Sequence, residues 1–285
     1  MARFRAQPAD DNAGEPARSA AHYELENLRA LATSVIGDAA EPMGVYAFGP
    51  GEPGATLALS VEQTVFEEAI GDTGAALVAD EFAPYDHATL LFCVLDHHRR
   101  LPAAMLRLIL PSRSGLKSLN DIAPTWGISA AELFAANHFD YDPDHTWDVA
   151  TLAIGPEYRA AAFQGMVTMA LCQSVSMLGS RVGFSWTIAL LHVPVLRMLQ
   201  WKLHRPFNEF DTVEPRPYLD SPASLPAWMH LPEWHRRLAD RDPVLYKMMT
   251  EGTGLEPAIR PPDWDKAAEL AAEVSALADL RLHLR

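Results

Sequence analysis

Most of the residues that could do chemistry together lie in one run, Trp147-Asp148-Val149-Ala150-Thr151-Leu152-Ala153-Ile154-Gly155-Pro156-Glu157-Tyr158-Arg159, followed by small residues and Gln164-Gly165. The pattern from Thr146 to Ile154 predicts a strand, and the apolar stripe beyond it predicts a helix from Phe163 to Leu178. A strand that passes through a small-residue turn into a helix leaves backbone N–H groups unpaired beside the positive helix end. A pyrophosphate fits such a place. Arg159, in the turn, adds a charge-assisted contact.

Other patterns point away from chemistry. No Gly-x-Ser-x-Gly, Walker loop, His-Glu-x-x-His or Cys-x-x-Cys occurs, which argues against hydrolase, NTPase and zinc-enzyme classes. Asp140, Asp142 and Asp144 begin like a calcium loop, but His145 stands where the turn needs glycine and Thr151 where the bidentate glutamate belongs. His97 and His98 are adjacent in a turn and point to opposite faces. No metal is expected. Cys93 and Cys172 sit in apolar runs and read as reduced core residues. The 285 residues carry 37 acidic and 23 basic side chains, a formal charge of -14, so nucleic acid is not expected as a partner. No apolar stretch reaches the roughly 18 residues of a membrane span, and the expected location is cytoplasmic.

The elements that must position the central run follow from periodicity. Residues 1–20 are polar and proline-containing and are expected to form a flexible tail. A helix is expected from His22 to Ile36, a strand from Gly44 to Phe48, and a helix from Ser60 to Ile70 with Ser60 and Gln63 as a capping box. Thr89 to Asp96 and Ala104 to Leu110 read as a hairpin about His97-His98-Arg99-Arg100. After the Phe163–Leu178 helix come a strand from Gly183 to Leu190, a helix from Val195 to Leu203 and a last core strand from Arg205 to Val213. Dense prolines from Glu214 to Pro262 predict an extended wrap with short helices, and Asp263 caps a closing helix that runs to Leu284. The expected division is a tail at 1–20, a core domain at 21–213 and a C-terminal extension at 214–285, packed on the domain or on a second subunit in a homodimer.

Ile154-Gly155-Pro156-Glu157-Tyr158-Arg159 resembles motif A of the GNAT superfamily of acyl-CoA N-acyltransferases, in which a strand ends in Val/Ile-x-Pro-x-Tyr-Arg and leads into a glycine-containing pyrophosphate loop. Here Ala160, Ala161, Ala162, Phe163 and Gln164 stand before Gly165, where the family has closely spaced glycines. Within the superfamily the chain is similar to the autoinducer synthases and long-chain N-acyl amino acid synthases. Glu81-Phe82-Ala83-Pro84-Tyr85-Asp86 matches their acidic segment at Glu81 and Asp86, and Arg107-Leu108-Ile109-Leu110-Pro111-Ser112 matches the end of their second hairpin strand at Arg107. Their Glu-x-Ser-Arg strand reads Trp147-Asp148-Val149-Ala150-Thr151 here, which argues against lactone synthesis from S-adenosylmethionine.

The resemblance implies a mixed, mostly antiparallel α/β sheet, splayed at its central strands, with helices on both faces. It implies transfer of an acyl group from a CoA thioester, acyl-CoA or acetyl-CoA, or from an acyl-carrier protein, to a small-molecule amine. Ile154, Arg159, Ala162, Phe163, Gln164 and Gly165 are then the cofactor-binding residues, and Asp148 the acid that takes the ammonium proton; the other reading of Asp148 is a strand-end acid on a solvated face. A backbone N–H at the end of the same strand serves the oxyanion. The tyrosine that many members use as an acid has no equivalent between His192 and Leu203. Glu81, Asp86, Arg107 and Trp186 are candidate substrate contacts; Arg107 reads equally as half of an ion pair with Glu81 or Asp86. Met166, Met169 and Met177 are core or, with Trp186, line an acyl channel, and Arg99, Arg100, Arg113 and Lys117 are candidates for a carrier-protein patch. The rival is a non-catalytic protein of the same fold that binds a ligand or partner in the cleft.

Overall fold

The computed structural model describes residues 23–71, 73–159, 161–219 and 221–280, without the side chains of 161–164 and 277–280. The expected tail, and the end of the closing helix beyond residue 280, lie outside these residues. In chain order the elements are α1 (Leu25–Ile36), β1 (Met43–Phe48), α2 (Ala55–Ile70), α3 (Gly74–Phe82), β2 (Thr89–Asp96), β3 (Leu101–Ile109), α4 (Lys117–Trp126), α5 (Ala130–Ala136), β4 (Thr146–Ile154), α6 (Ala161–Val182), β5 (Trp186–His192) and α7 (Val193–Lys202). Then follow β6 (Asn208–Glu209), β7 (Arg216–Tyr218), β8 (Ser221–His230), α8 (Leu231–Arg241), α9 (Pro243–Glu251), β9 (Ile259–Arg260) and α10 (Trp264–Leu280).

Among the described residues the strands form one sheet in the order β6-β8-β5-β4-β3-β2-β1-β9, with β7 beside β8. Only β4–β5 and β1–β9 pair in parallel; the other pairs are antiparallel. This is the mixed, mostly antiparallel α/β architecture with helices on both faces. Every residue of β2 is buried, because alternate side chains enter different cores. Phe92 and Val94 join the larger core beneath α6, α8, α9 and α10, while Leu91, Cys93 and Leu95 face α1 and α2. On that second face, α3, α4 and α5 cover a third cluster that includes Ile109 of β3 and Ile188 of β5.

Several expectations are corrected. The second helix begins at Ala55, not Ser60: the turn Glu52–Gly54 starts it, since Ala55 N–H donates to Glu52 O at 3.0 Å, and Ser60 Oγ donates to Leu57 O within the helix. The segment Arg205 to Val213 yields only the two-residue β6, because His204 and Arg205 adopt left-handed backbone angles that stop an extended run. Its place beside β5 is taken by ten-residue β8, whose Pro226 lies opposite Leu190 and between the stretches paired with β6 and β7, where no neighbouring strand needs its missing N–H. Residues 214–285 thus contribute to the sheet itself, and α10 packs on the body with Ala267, Ala271 and Val274 in the main core. Among the described residues no helix is long and apolar enough to cross a membrane.

Helix α6 lies tightly over the sheet. A Cβ added at Gly179 would come 2.6 Å from Leu231 Cδ2 and 2.7 Å from Phe184 Cζ. Gly179→Ala is therefore expected to cost about 1–3 kcal/mol in urea denaturation. At Gly165, where the nearest atom is Lys202 Nζ at 3.8 Å, the same change is expected to be neutral or to stabilise by up to about 1 kcal/mol.

Candidate active site

Strand β4 pairs with β3 along most of its length, but with β5 only through Thr146–Trp186, Trp147–Thr187 and Asp148–Ile188. Beyond that point β5 continues against β8, from Ala189–Ala227 to His192–Ser224, and the two parallel strands separate. The sheet thus opens into a wedge with Asp148 and Ile188 at its vertex. On the wedge side no strand among the described residues pairs with β4 from Val149 to Ile154. The register on the other side is broken once: Arg107 faces Thr151 and Leu108 faces Val149, so Ala150 is the extra residue of a bulge. Without it Asp148 and Thr151 would point to opposite faces; with it both share the face of Arg107 and Ile109.

Asp148 is fully buried, not on a solvated face. Ser118 donates twice to it, from its backbone N–H at 2.7 Å and from Oγ at 2.7 Å. The first turn of α4, which has no side-chain cap of its own, is held by this carboxyl from across the sheet. Burial pushes the Asp148 pKa up to about 7, against the two hydrogen bonds from Ser118 and the charge of Lys117, which pull it down. Thr151 Oγ1, buried with its residue, has no hydrogen-bond partner among the described residues.

Around this carboxyl the charged residues are paired. Arg107 is buried against Glu62 of α2, to which its Nε donates at 3.1 Å and its Nη2 at short range, with Asp86 at 3.5 Å. Burial lowers the Arg107 pKa, and the attraction and hydrogen bonds of Glu62 outweigh it, so the net shift is upward. Of the two partners the sequence suggested, Asp86 is a distant second and Glu81 is elsewhere: Lys117 Nζ donates to Glu81 at 2.7 Å, to Asp121 at 2.5 Å and to the Tyr218 hydroxyl at 3.1 Å. Lys117 is 2% exposed, which removes it from any carrier-protein patch at the surface. Tyr218 in turn donates to Asp121 at 2.5 Å. Neither Glu62 nor Ser118 stands out in the sequence; each lies in a polar stretch, and only the register of β3 and β4 brings them in.

Past the end of β4, Gly155 N–H donates to Ala103 O at 2.9 Å and Tyr158 donates to Asp96 at 3.0 Å, fixing the turn to the hairpin. Arg159 bends back: its Nε donates to Ile154 O at 3.0 Å and its guanidinium meets Glu68 at 2.8 Å. The side chains of Ala162, Phe163 and Gln164 lie outside the described residues. Gly165, in the first turns of α6, faces the Lys202 ammonium. Lys202 was not expected from sequence, yet it ends the helix after the strand after the loop, and the fold alone brings it back.

Under the wedge, between β4, β5, α6 and α7, is an apolar cavity of ≈ 40 Å³ lined by residues that include Val149, Leu152, Cys172, Val175, Leu191 and Leu199. Burial raises the Cys172 thiol to about 12, so it is a wall residue and not a nucleophile. Trp186 and the three methionines do not line this cavity. Trp186 stacks on His230 with ring centroids 4.2 Å apart and meets Phe139 edge-on at 4.8 Å, within an aromatic cluster at the closed end of the wedge. Among the described residues no group of His, Cys, Asp and Glu is placed to hold a metal.

Two measurements follow. Glu62→Gln leaves a buried guanidinium without its main counter-charge and is expected to cost about 3–5 kcal/mol in urea denaturation, while the paired change Arg107→Met with Glu62→Leu is expected to recover most of it. Because the Asp148 pKa is higher folded than unfolded, the folded state holds the extra proton, and stability is expected to fall as pH rises from about 4 to 7. Asp148→Asn is expected to flatten that slope, read as thermal melting against pH.

No protein-family model and no curated protein matches the sequence. Among solved structures, the chain is similar to FeeM, an N-acyl amino acid synthase from uncultured soil microbes, at 14% identity and a TM-score of 0.49, over 72% of this chain and 99% of that one. It is similar to BjaI, a CoA-dependent acyl-homoserine lactone synthase with SAM and isopentyl-CoA, at 12% identity and a TM-score of 0.46, over 82% and 99%. It is also similar to the AHL synthase LasI, at 12% identity and a TM-score of 0.45, over 66% and 90%. The sheet opened between β4 and β5, with helices on both faces, is the mixed, mostly antiparallel α/β arrangement, splayed at its central strands, that was expected.

Proposed function

We propose that this protein is an N-acyltransferase that moves a short acyl group from a CoA thioester, or from the same thioester on an acyl-carrier protein, to the amine of a small molecule or amino acid. The observation that carries this reading is the wedge between β4 and β5 above an apolar cavity, with a buried carboxyl at its vertex. The free edge of β4 offers backbone N–H and C=O groups to an extended, amide-bearing donor, as a sheet edge does to an added strand. One of those N–H groups, beyond the vertex, is positioned for the oxyanion that forms when the amine attacks the thioester carbonyl. A cavity of ≈ 40 Å³ holds only a few heavy atoms, which favours acetyl to butyryl groups over long chains.

In this reading the amine approaches from the α2 and α4 face. A group with a pKa near 7 exchanges protons at neutral pH, and Asp148 takes the amine proton through the Ser118 hydroxyl that bonds to it. The C–S bond breaks as the C–N bond forms, and that proton is returned to the thiolate. Lys202, beside the start of α6, holds phosphate of the donor. The acids that the resemblance marks as substrate contacts, Glu81 and Asp86, face Lys117 and Arg107, which favours an acceptor without a second positive charge. A second reading, a non-catalytic binding protein, is favoured by Arg159, whose guanidinium is turned to Glu68 and Ile154 O.

Thermal melting with CoA, acetyl-CoA, butyryl-CoA and decanoyl-CoA tests the donor. Acetyl- or butyryl-CoA at about 100 times its Kd is expected to stabilise the protein by about 2.7 kcal/mol, and Lys202→Ala to weaken the effect. Leu152→Ala is expected to move the preference toward longer chains. No shift with any thioester, nor with an acyl-carrier protein, sinks the proposal. Once an acceptor is found, Asp148→Asn is expected to lower kcat by on the order of 100-fold or more with little change in KM; unchanged kcat would leave Asp148 as the anchor of α4 alone.

A further inference from the structure

On the far side of β1 from this wedge, a groove of ≈ 370 Å³ runs between α1, β1 and the starts of α2 and α10. Its volume lies in the range of small-molecule sites. One wall is apolar, from Leu31 and Val35 of α1 to Phe48 and Pro53; the other carries Arg260 and Lys266. The acids beside them are engaged. Glu52 accepts from Gly49 N–H at 2.7 Å and from Lys266 Nζ at 3.3 Å, and Asp263 accepts from the N–H groups of Asp265 and Lys266 as the cap of α10.

Arg260 is held differently. Its Nη2 donates to the Tyr46 hydroxyl at 3.2 Å and its guanidinium lies 5.3 Å from the centre of the Tyr46 ring. His97 Nδ1 meets Glu41 O at 2.6 Å, which makes Nδ1 the protonated nitrogen, so Nε2 accepts from Tyr46 at 3.1 Å. Burial keeps His97 below its ordinary pKa and therefore neutral. Tyr46 Oη–H is thus spent on His97, and its lone pair points back to Arg260. The chain of bonds fixes one edge of the guanidinium, and among the described residues no carboxylate pairs with the rest of it.

From this placement we infer that the groove binds a small monocarboxylate with an apolar body, its carboxylate on the free edge of Arg260 with Lys266 at the mouth, and its body along Leu31, Val35 and Phe48. A fixed, half-covered guanidinium gives a planar two-point match to a carboxylate, and the apolar wall rejects a fully hydrated anion such as sulfate. The site is separate from the β4–β5 wedge and does not depend on what the wedge does.

Calorimetric titration of the full chain with sodium octanoate tests the inference, with octanamide as the uncharged match. Octanoate is expected to bind saturably, octanamide on the order of tenfold more weakly, and Arg260→Gln to weaken octanoate by a similar factor while leaving octanamide unchanged. Leu152→Trp, which fills the cavity under the wedge, is expected to leave octanoate binding as it is. Absence of saturable binding, equal binding of the two probes to the native protein, or octanoate binding lost with Leu152→Trp and kept with Arg260→Gln would each overturn it. The two-probe comparison needs no variant, so it decides the matter even where Arg260→Gln does not fold.

Discussion

The parting of β4 from β5 after three paired residues is the constraint on which the rest of this molecule turns. A parallel pair that separates exposes backbone donors and acceptors in the middle of a sheet, where water is scarce and an unpaired group costs about as much as a lost hydrogen bond. The fold meets this from both sides. Strand β8 pairs the outer edge of β5 over its whole length, so the unpaired groups are confined to the two edges that face the wedge, Val149 to Ile154 of β4 and Ala189 to His192 of β5. Helices α6 and α7 then roof the gap with apolar side chains on one face.

On the opposite face the solution is polar, and it is coupled to the first. The bulge at Ala150 sends Asp148 and Thr151 to the same side, next to Arg107, and each ionisable group brought in there is answered by a counter-charge or a hydrogen-bond donor: Glu62 for Arg107, Glu81 and Asp121 for Lys117, Ser118 for Asp148. Such a network stands or falls together, because removing one member leaves its partner charged and dry. It also ties α3 and α4 to the sheet, beside the apolar cluster that they cover.

The sequence carried the sheet better than the site. Strands β1 to β4 were legible because their residues alternate or are wholly apolar between turn signals, and the Thr146 to Ile154 boundaries agree with the structure. Helix α5 carries a readable local signal, the capping box of Ser129 and Glu132, while α4 contains Pro124 and a sparse apolar face. Strand β8 was hidden by Pro222 and Pro226, which weigh against a strand everywhere except where a neighbour makes no demand on their nitrogen. For the site, Asp148 was visible as a lone acid in an apolar run. Its burial was not, since that depends on α4 arriving from thirty residues upstream, and Glu62 and Lys202 were out of reach because no local pattern marks a partner that only tertiary folding supplies.

The far edge of the sheet has its own consequence. Strand β1 is bordered on one side by β2, and on the other by β9, which pairs Met43 with Ile259. Roughly two hundred residues must be made before the start of that edge, Met43 and Gly44, is paired, and α10, which packs on the same region, comes later still. During synthesis on the ribosome, β2 is therefore made long before β9, and the outer edge of β1 keeps free backbone amides in the interval. Long-range closure of this kind is slow. The shielding of this edge is thus a property of β9 and α10, the elements made last among those described.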